Sequence, residues 1–251
     1  MSDAPQQVRV LCDDPLDGPR NMARDEALLT RVGSGDSEPT LRLYQWNPPT
    51  MSLGYFQRFA DYDALEPPAG RLDVVRRLTG GGAILHDREL TYSLAVPLGH
   101  ALLSDGPRKL YDLLHQAIAE SLKPLRVSAE RCGASDDSGP RRGPFFCFER
   151  RHEADLLVGG EKLAGSAQRR TRNALLQHGS IVLGRRFDQH KSAAVSTDAK
   201  EAVKHLSIAI PEALSRRCGL DFVTGIWSRW ELLSAEALRS KYASVEWTRR
   251  T

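Results

Sequence analysis

Three strand-length stretches follow one another with only short breaks: Asp155–Val158, Lys162–Gln168 and Ala174–Leu183. Gly159-Gly160 between the first two reads as a hairpin turn. Consecutive strands joined this tightly pair antiparallel, because parallel neighbours need a long crossover. Further strand patterns lie at Thr40–Trp46, Met51–Tyr55, Asp73–Arg77, Ala83–Leu85 and Thr91–Val96. Asn47-Pro48-Pro49 breaks the first pair apart. Helices are fewer. Lys109–Leu122 places Leu110, Leu113, Leu114, Ala117, Ile118 and Leu122 at helical spacing, and Met22–Val32 does the same with Met22, Leu28, Leu29 and Val32. Hairpins dominate, so the expected class is α+β, with a mixed, mostly antiparallel sheet flanked by helices.

Past Leu183 the pattern turns helical. Asp198 with Glu201 three residues on fits a capping box before a short helix. Phe222, Ile226, Trp230 and Leu233 space as a second helical stripe. The expected organisation is a catalytic domain over 1–185 and a helical extension over 186–251 packed on it. Gly133–Pro144 reads as a loop. The chain has 251 residues, 41% of them apolar and 27% charged, which suits an ordinary water-soluble domain. No apolar run reaches the roughly 18 residues of a membrane span, and the N-terminus has no secretory pattern. Cys12, Cys132, Cys147 and Cys218 form no Cys-x-x-Cys pair, so reduced thiols in a cytoplasmic protein are expected, with no metal site.

Four segments carry groups suited to chemistry. Arg76-Arg77-Leu78-Thr79-Gly80-Gly81-Gly82 ends near His86. A glycine triplet admits a ligand against bare backbone, two arginines suit a phosphate or carboxylate, and the imidazole can move a proton. A flexible hairpin with solvated arginines has the same composition. Lys162-Leu163-Ala164-Gly165-Ser166-Ala167-Gln168, if regular, puts Lys162, Ala164, Ser166 and Gln168 on one face, as a narrow pocket with a cationic anchor would. An edge-strand lysine looks the same. Gln177-His178-Gly179-Ser180 closes a strand with a polar cluster. Pro144-Phe145-Phe146-Cys147-Phe148 sets a thiol among aromatic rings, inert unless a cation such as Lys162 stands close.

Taken in order along the chain, these motifs resemble the lipoate- and biotin-protein ligase superfamily, its lipoate branch in particular. Asn21-Met22-Ala23-Arg24-Asp25-Glu26-Ala27 looks like that family's first helix and Trp46–Tyr55 like its next strand pair. The resemblance spans about Asn21 to Leu183. It implies a class II aminoacyl-tRNA synthetase/biotin-protein ligase-like catalytic domain. It also implies a substrate site built from Arg76, Arg77, Gly80, Gly81, Gly82, His86, Gly165, Ser166, Ala167, Gln177, His178 and Gly179.

Two chemistries occur in such families. Cys147-Phe148, just upstream of the Lys162 motif, is similar to the Cys-Phe pair of cysteine-using octanoyltransferases. That resemblance implies Cys147 and Lys162 as catalytic residues and an octanoyl group taken from acyl carrier protein as a Cys147 thioester. The acceptor is then a lysine of the lipoyl domains of 2-oxoacid dehydrogenases or of glycine cleavage H protein. Lys162 would hold the thiolate and polarise the carbonyl, with His86 or Lys162 as base for the incoming amine. No cofactor is needed on this reading. Against the pattern, Cys147-Phe148 is followed by Glu149-Arg150-Arg151-His152-Glu153-Ala154-Asp155-Leu156, where Asp155-Leu156 is reminiscent of ligases. An ATP- and Mg-dependent lipoate ligase therefore stays an alternative, as do an amidotransferase between lipoyl domains and a non-catalytic relative. Residues 141–186 hold ten Lys and Arg against four acids, in a chain of net charge +3. Such a basic rim suits acidic protein partners, and the stretch lacks the aromatic interleaving of a nucleic-acid binder.

Overall fold

Runs of strands are interrupted by helices along the residues that this computed structural model describes, 7–133, 143–195 and 198–250. The first half runs β1 (Gln7–Cys12), α1 (Gly18–Ser34), β2 (Thr40–Tyr44), β3 (Thr50–Leu53), α2 (Phe59–Asp63), β4 (Asp73–Arg76), β5 (Ile84–His86), β6 (Glu89–Pro97) and α3 (Pro107–Leu122). The second half runs β7 (Glu130–Arg131), β8 (Leu156–Val158), β9 (Glu161–Arg170), β10 (Ala174–Val182), α4 (Ala199–Cys218), β11 (Asp221–Thr224), α5 (Arg229–Ala243) and α6 (Val245–Thr248). Most of the expected loop Gly133–Pro144, with Arg141 and Arg142, lies outside the described residues.

Eight strands form one sheet in the order β11-β1-β2-β6-β10-β9-β8-β7. Only β11–β1 and β1–β2 are parallel; the other pairs are antiparallel. The α+β reading and the hairpins therefore hold. Gly159 and Gly160 make the turn between β8 and β9 with φ of +58° and +81°, which glycine tolerates best. A second, three-stranded sheet has the order β4-β3-β5.

The helices begin where local chemistry allows. Asp17 accepts the amide of Arg20 at 2.8 Å, Pro19 occupies the first turn of α1, and Gly35 at φ +80° ends the helix. Met22, Leu28, Leu29 and Val32 are buried against Tyr44, Trp46 and Leu176, one core layer of the large sheet. Leu110, Leu114, Ala117, Ile118 and Leu122 of α3 fill the other layer together with α4 and the strands. Asp198 caps α4 by accepting the amides of Lys200 and Glu201, and the helix runs for 20 residues, longer than its cap alone suggests.

The stripe expected over Phe222–Leu233 is not a helix. Phe222 lies in β11, paired with Val8. Ser228 and Glu231 form a reciprocal capping box that starts α5 only at Arg229. Ile226 and Trp230 are exposed, and Ala235 and Tyr242 are buried instead. Hydrophobic spacing across a cap does not register, because the backbone period resets there. The segment beyond 185 thus supplies helices to both layers and, through β11, an edge strand.

Candidate active site

The site lies where β9 and β10 of the large sheet face the small sheet. Cys147 opens a single 3₁₀ turn, Cys147–Glu149. The peptide before it is held by two backbone bonds, Ala83 N–H to Phe145 O and Cys147 N–H to Ala83 O, both 2.8 Å. That clasp brings the chain against the glycine run. A Cβ on Gly82 would sit 2.7 Å from the Cys147 nitrogen and 2.9 Å from its Cα. One on Gly81, whose φ is +92°, would sit 3.9 Å from Cys147 Sγ. The sulfur is half-buried and packs in a small apolar cluster with Ile84, Phe148, Val182 and Ala194.

Lys162 Nζ stands 3.8 Å from that sulfur. It also donates to the carbonyls of Cys147 (3.3 Å) and Arg150 (3.4 Å) and pairs with Asp155 at 2.7 Å. Burial pulls its pKa down, but the Cys147 sulfur and the Asp155 carboxylate outweigh this and raise it, so Lys162 is an ammonium at neutral pH. The alternation expected along β9 breaks here. Leu156 pairs with Ala164 and Leu157 with Lys162, a bulge that leaves Leu163 extra. Lys162 consequently shares its face with Gly165, where a Cβ would strike Lys162 Cε and lie 2.7 Å from Nζ and 2.9 Å from Asp155 Oδ1. Ala164, Ser166 and Gln168 turn the other way. Ser166 bonds His115 of α3 (2.9 Å) and Gln177 (3.0 Å), and Gln177 accepts from Gln168. Gly179 leaves room for Tyr92, and Ala167 pairs with His178 across the ladder.

The arginines and histidines take places that composition did not reveal. Arg76 is fully buried and donates to the carbonyls of Gly54, Gln57 and Thr248, with Arg250 O at 3.3 Å. Arg77 donates to Ser52 O (2.9 Å) and to Gly80 O and Gly82 O (both 2.7 Å). Both guanidinium groups are thus occupied by backbone carbonyls rather than turned toward a ligand anion, and those of the glycine run are held by Arg77 alone. Burial lowers the Arg77 pKa to about 10, partly offset by the charge of Cys147, which makes Arg77 a second cation coupled to the sulfur. His86 stacks on Trp46 at 3.9 Å and bonds Ser52 Oγ at 2.8 Å. Burial lowers its pKa despite nearby Glu89.

Sequence reasoning gave no site role to Asp25, Thr79 or Asp155. Arg77 Nε donates to Thr79 Oγ1 (3.2 Å), which meets His178 Nε2 at 2.6 Å; His178 Nδ1 meets Asp25 Oδ2 at 3.1 Å. Asp25 also accepts from Arg42, Tyr44 and Ser93. Burial alone would raise its pKa; these donors, His178 foremost, lower it. A chain of bonds therefore links α1 to the glycine run. The Asp155–Lys162 pair follows from the bulge: with Leu156 opposite Ala164 and not Leu163, Asp155 falls beside Gly165.

Surface clefts also lie elsewhere, one of about 580 Å³ between α1 and α5 lined by Arg20, Arg24, Arg229 and Leu233. Among the described residues no helix is long and apolar enough to cross a membrane.

The two-sheet architecture is the class II synthetase-like fold of the lipoate ligases. A solved putative lipoate protein ligase from T. acidophilum superposes with a TM-score of 0.78 at 22% identity, covering 98% of this chain and 99% of that one. A lipoate-protein ligase A bound with ATP gives 0.77 at 22% identity over 97% and 98%. Residues 17–213 match the family described as lipoyl protein ligase A/B catalytic domain. Octanoyltransferase LipM of Moorella thermoacetica is 36% identical over 98% of this chain and 99% of its own, and that of Staphylococcus aureus 33% over 90% and 92%. This chain belongs to the lipoyl protein ligase A/B catalytic domain family.

Proposed function

We propose that this protein is an octanoyltransferase of protein lipoylation, and that Cys147 carries the octanoyl group as a thioester between donor and acceptor. The observation that carries this reading is the half-buried Cys147 sulfur held 3.8 Å from the Lys162 ammonium. Relatives named octanoyltransferase LipM support the same class of reaction.

In the first half-reaction the Cys147 sulfur attacks the thioester carbonyl of octanoyl-acyl carrier protein. The donor thiol leaves and takes the proton that Cys147 gives up. In the second, the neutral amine of an acceptor lysine on a lipoyl domain attacks the Cys147 thioester. The C–S bond breaks, sulfur keeps the electron pair, and the amine's proton restores the thiol. Lys162 is a donor beside the sulfur in both steps, stabilising charge on sulfur and on the carbonyl oxygen. Its raised pKa suits that role and not the role of base. One thioester exchanges for another of similar energy, so no nucleotide is needed. Ile84, Phe148, Val182 and Ala194 offer the acyl chain an apolar wall, at roughly 0.8 kcal/mol per buried CH₂. As acceptors we assign lipoyl domains, those of 2-oxoacid dehydrogenases and glycine cleavage H protein.

The test is intact mass after incubation with octanoyl-acyl carrier protein. An octanoyl-sized gain that disappears in Cys147→Ala is expected. No gain, or lipoate-dependent ATP–pyrophosphate exchange that survives Cys147→Ser, sinks the proposal in favour of a ligase.

A further inference from the structure

The glycine run behind Cys147 continues outward into an exposed aromatic corner. Phe56 is 83% exposed. Its ring stands edge-on to Tyr55 at 4.9 Å, and a Cβ on Gly80 would lie 3.9 Å from it. The next residue, Gly81, makes the same 3.9 Å approach to Cys147 Sγ. Phe56 and the Cys147 sulfur therefore stand beside neighbouring residues of the same glycine run. Three guanidinium groups surround the corner. Arg169 and Arg250 lie over the Tyr55 ring, at 5.2 Å and 4.1 Å, and Arg249 lies over Phe59 at 4.4 Å. Arg58 at the margin is paired with Asp61, but among the described residues none of these three has a carboxylate partner.

A bare aromatic ring ringed by uncompensated cations is a surface made for an acidic protein with an apolar contact of its own. The acyl-transfer reading, on which this inference rests, decides which protein. An acceptor lysine has only its own side chain with which to reach the acyl carbon. The surface bearing it must settle within a lysine's length of Cys147, and this corner is an exposed surface on the glycine next to the one that the sulfur meets. We propose that Tyr55, Phe56 and Phe59 with Arg169, Arg249 and Arg250 form the docking surface for the acceptor, an acidic protein face that presents its lysine.

The experiment compares wild type with Phe56→Ser and with Arg169→Glu/Arg250→Glu. Octanoyl-loaded protein is discharged onto an unmodified lipoyl domain and, separately, onto the small amine N-acetyl-lysine amide. Discharge to the lipoyl domain is expected to fall about tenfold in both variants at low salt, and the salt dependence of wild type to vanish in the double variant. Loading from octanoyl-acyl carrier protein and discharge to the small amine should stay within about twofold, since rim charges act on encounter. Unchanged discharge to the lipoyl domain overturns the proposal. So does slowed loading with normal discharge, which makes the corner a donor surface, or a parallel loss with the small amine, which means damage to the site itself. Anisotropy of a labelled lipoyl domain titrated with unloaded protein reads docking without chemistry. Weaker binding to both variants is expected, and equal binding overturns it. A wild-type protein that takes up no octanoyl group defeats the acyl-transfer reading and leaves this binding result standing.

Discussion

Two glycine runs in this chain look alike in sequence and are opposite in kind. At Gly159 and Gly160 both φ angles are positive, and a Cβ added to either would meet nothing within 4 Å. Glycine is there for its backbone freedom alone. At Gly80–Gly82 only Gly81 has positive φ, yet a Cβ on Gly82 would run into the backbone of Cys147. Glycine is there because another chain segment must lie against it. The first run can be rewritten; the second is the mould into which Cys147 is pressed, with Arg77 clamping its carbonyls from behind.

Gly82→Ala gives the largest effect. A methyl group cannot share space with the Cys147 backbone, so the sulfur moves, and a displacement of about 1 Å costs on the order of 100-fold. Octanoyl loading followed by intact mass should show that loss in folded protein; loading within a few-fold of wild type breaks the distinction drawn between the runs. His178→Ala comes next. It strips partners from Thr79 and Asp25, both buried, and should destabilise by about 1–3 kcal/mol in urea unfolding.

Acid acts on the same side of the contrast. Burial lowers the His86 pKa and pushes that of His190, packed on Phe148 beside Cys147, down to about 3. Below the ordinary value of 6.5 the unfolded chain binds protons that the folded imidazoles refuse. Stability should therefore be complete above that value and decline as pH falls from it toward about 3. Urea midpoints measured between pH 8 and pH 5 check this, and a flat profile contradicts it. Gly159→Asn gives the smallest change. Asparagine accepts positive φ and Asn-Gly suits a two-residue hairpin, so stability should stay within about 0.5 kcal/mol. A larger loss would mean that this turn, too, is held from outside.

Much of the site could be read before the fold was known. Cys147 and Lys162 stand out because a thiol among aromatic rings needs a cation to react, and the two meet. The stripe of Lys109–Leu122 survives as the buried face of α3, with only Leu113 partly exposed. Where reading failed, it failed at interruptions of regularity. The bulge at Leu163 reverses the facing of Ser166, and the cap at Ser228 cancels the stripe through Phe222 and Trp230. Arg76 and Arg77 look like ligand hooks because an arginine's partners are unknown until distant carbonyls arrive, such as that of Thr248.

Local order is written in neighbouring residues. Period, cap and turn chemistry act within a few positions, so the sequence alone determined the hairpins, the helices α1 and α3 and the pairing of a thiol with a lysine as the chemistry to expect. Which glycine must be bare and which arginines are consumed by backbone depend on contacts between residues far apart along the chain, and which carboxylate holds Lys162 depends on a bulge that no local pattern marks. Only the closing of the large sheet over the small one brings Asp25, His178, Thr79 and Arg77 into line behind Cys147. No local pattern encodes that alignment, because each link is set by the position of a different element.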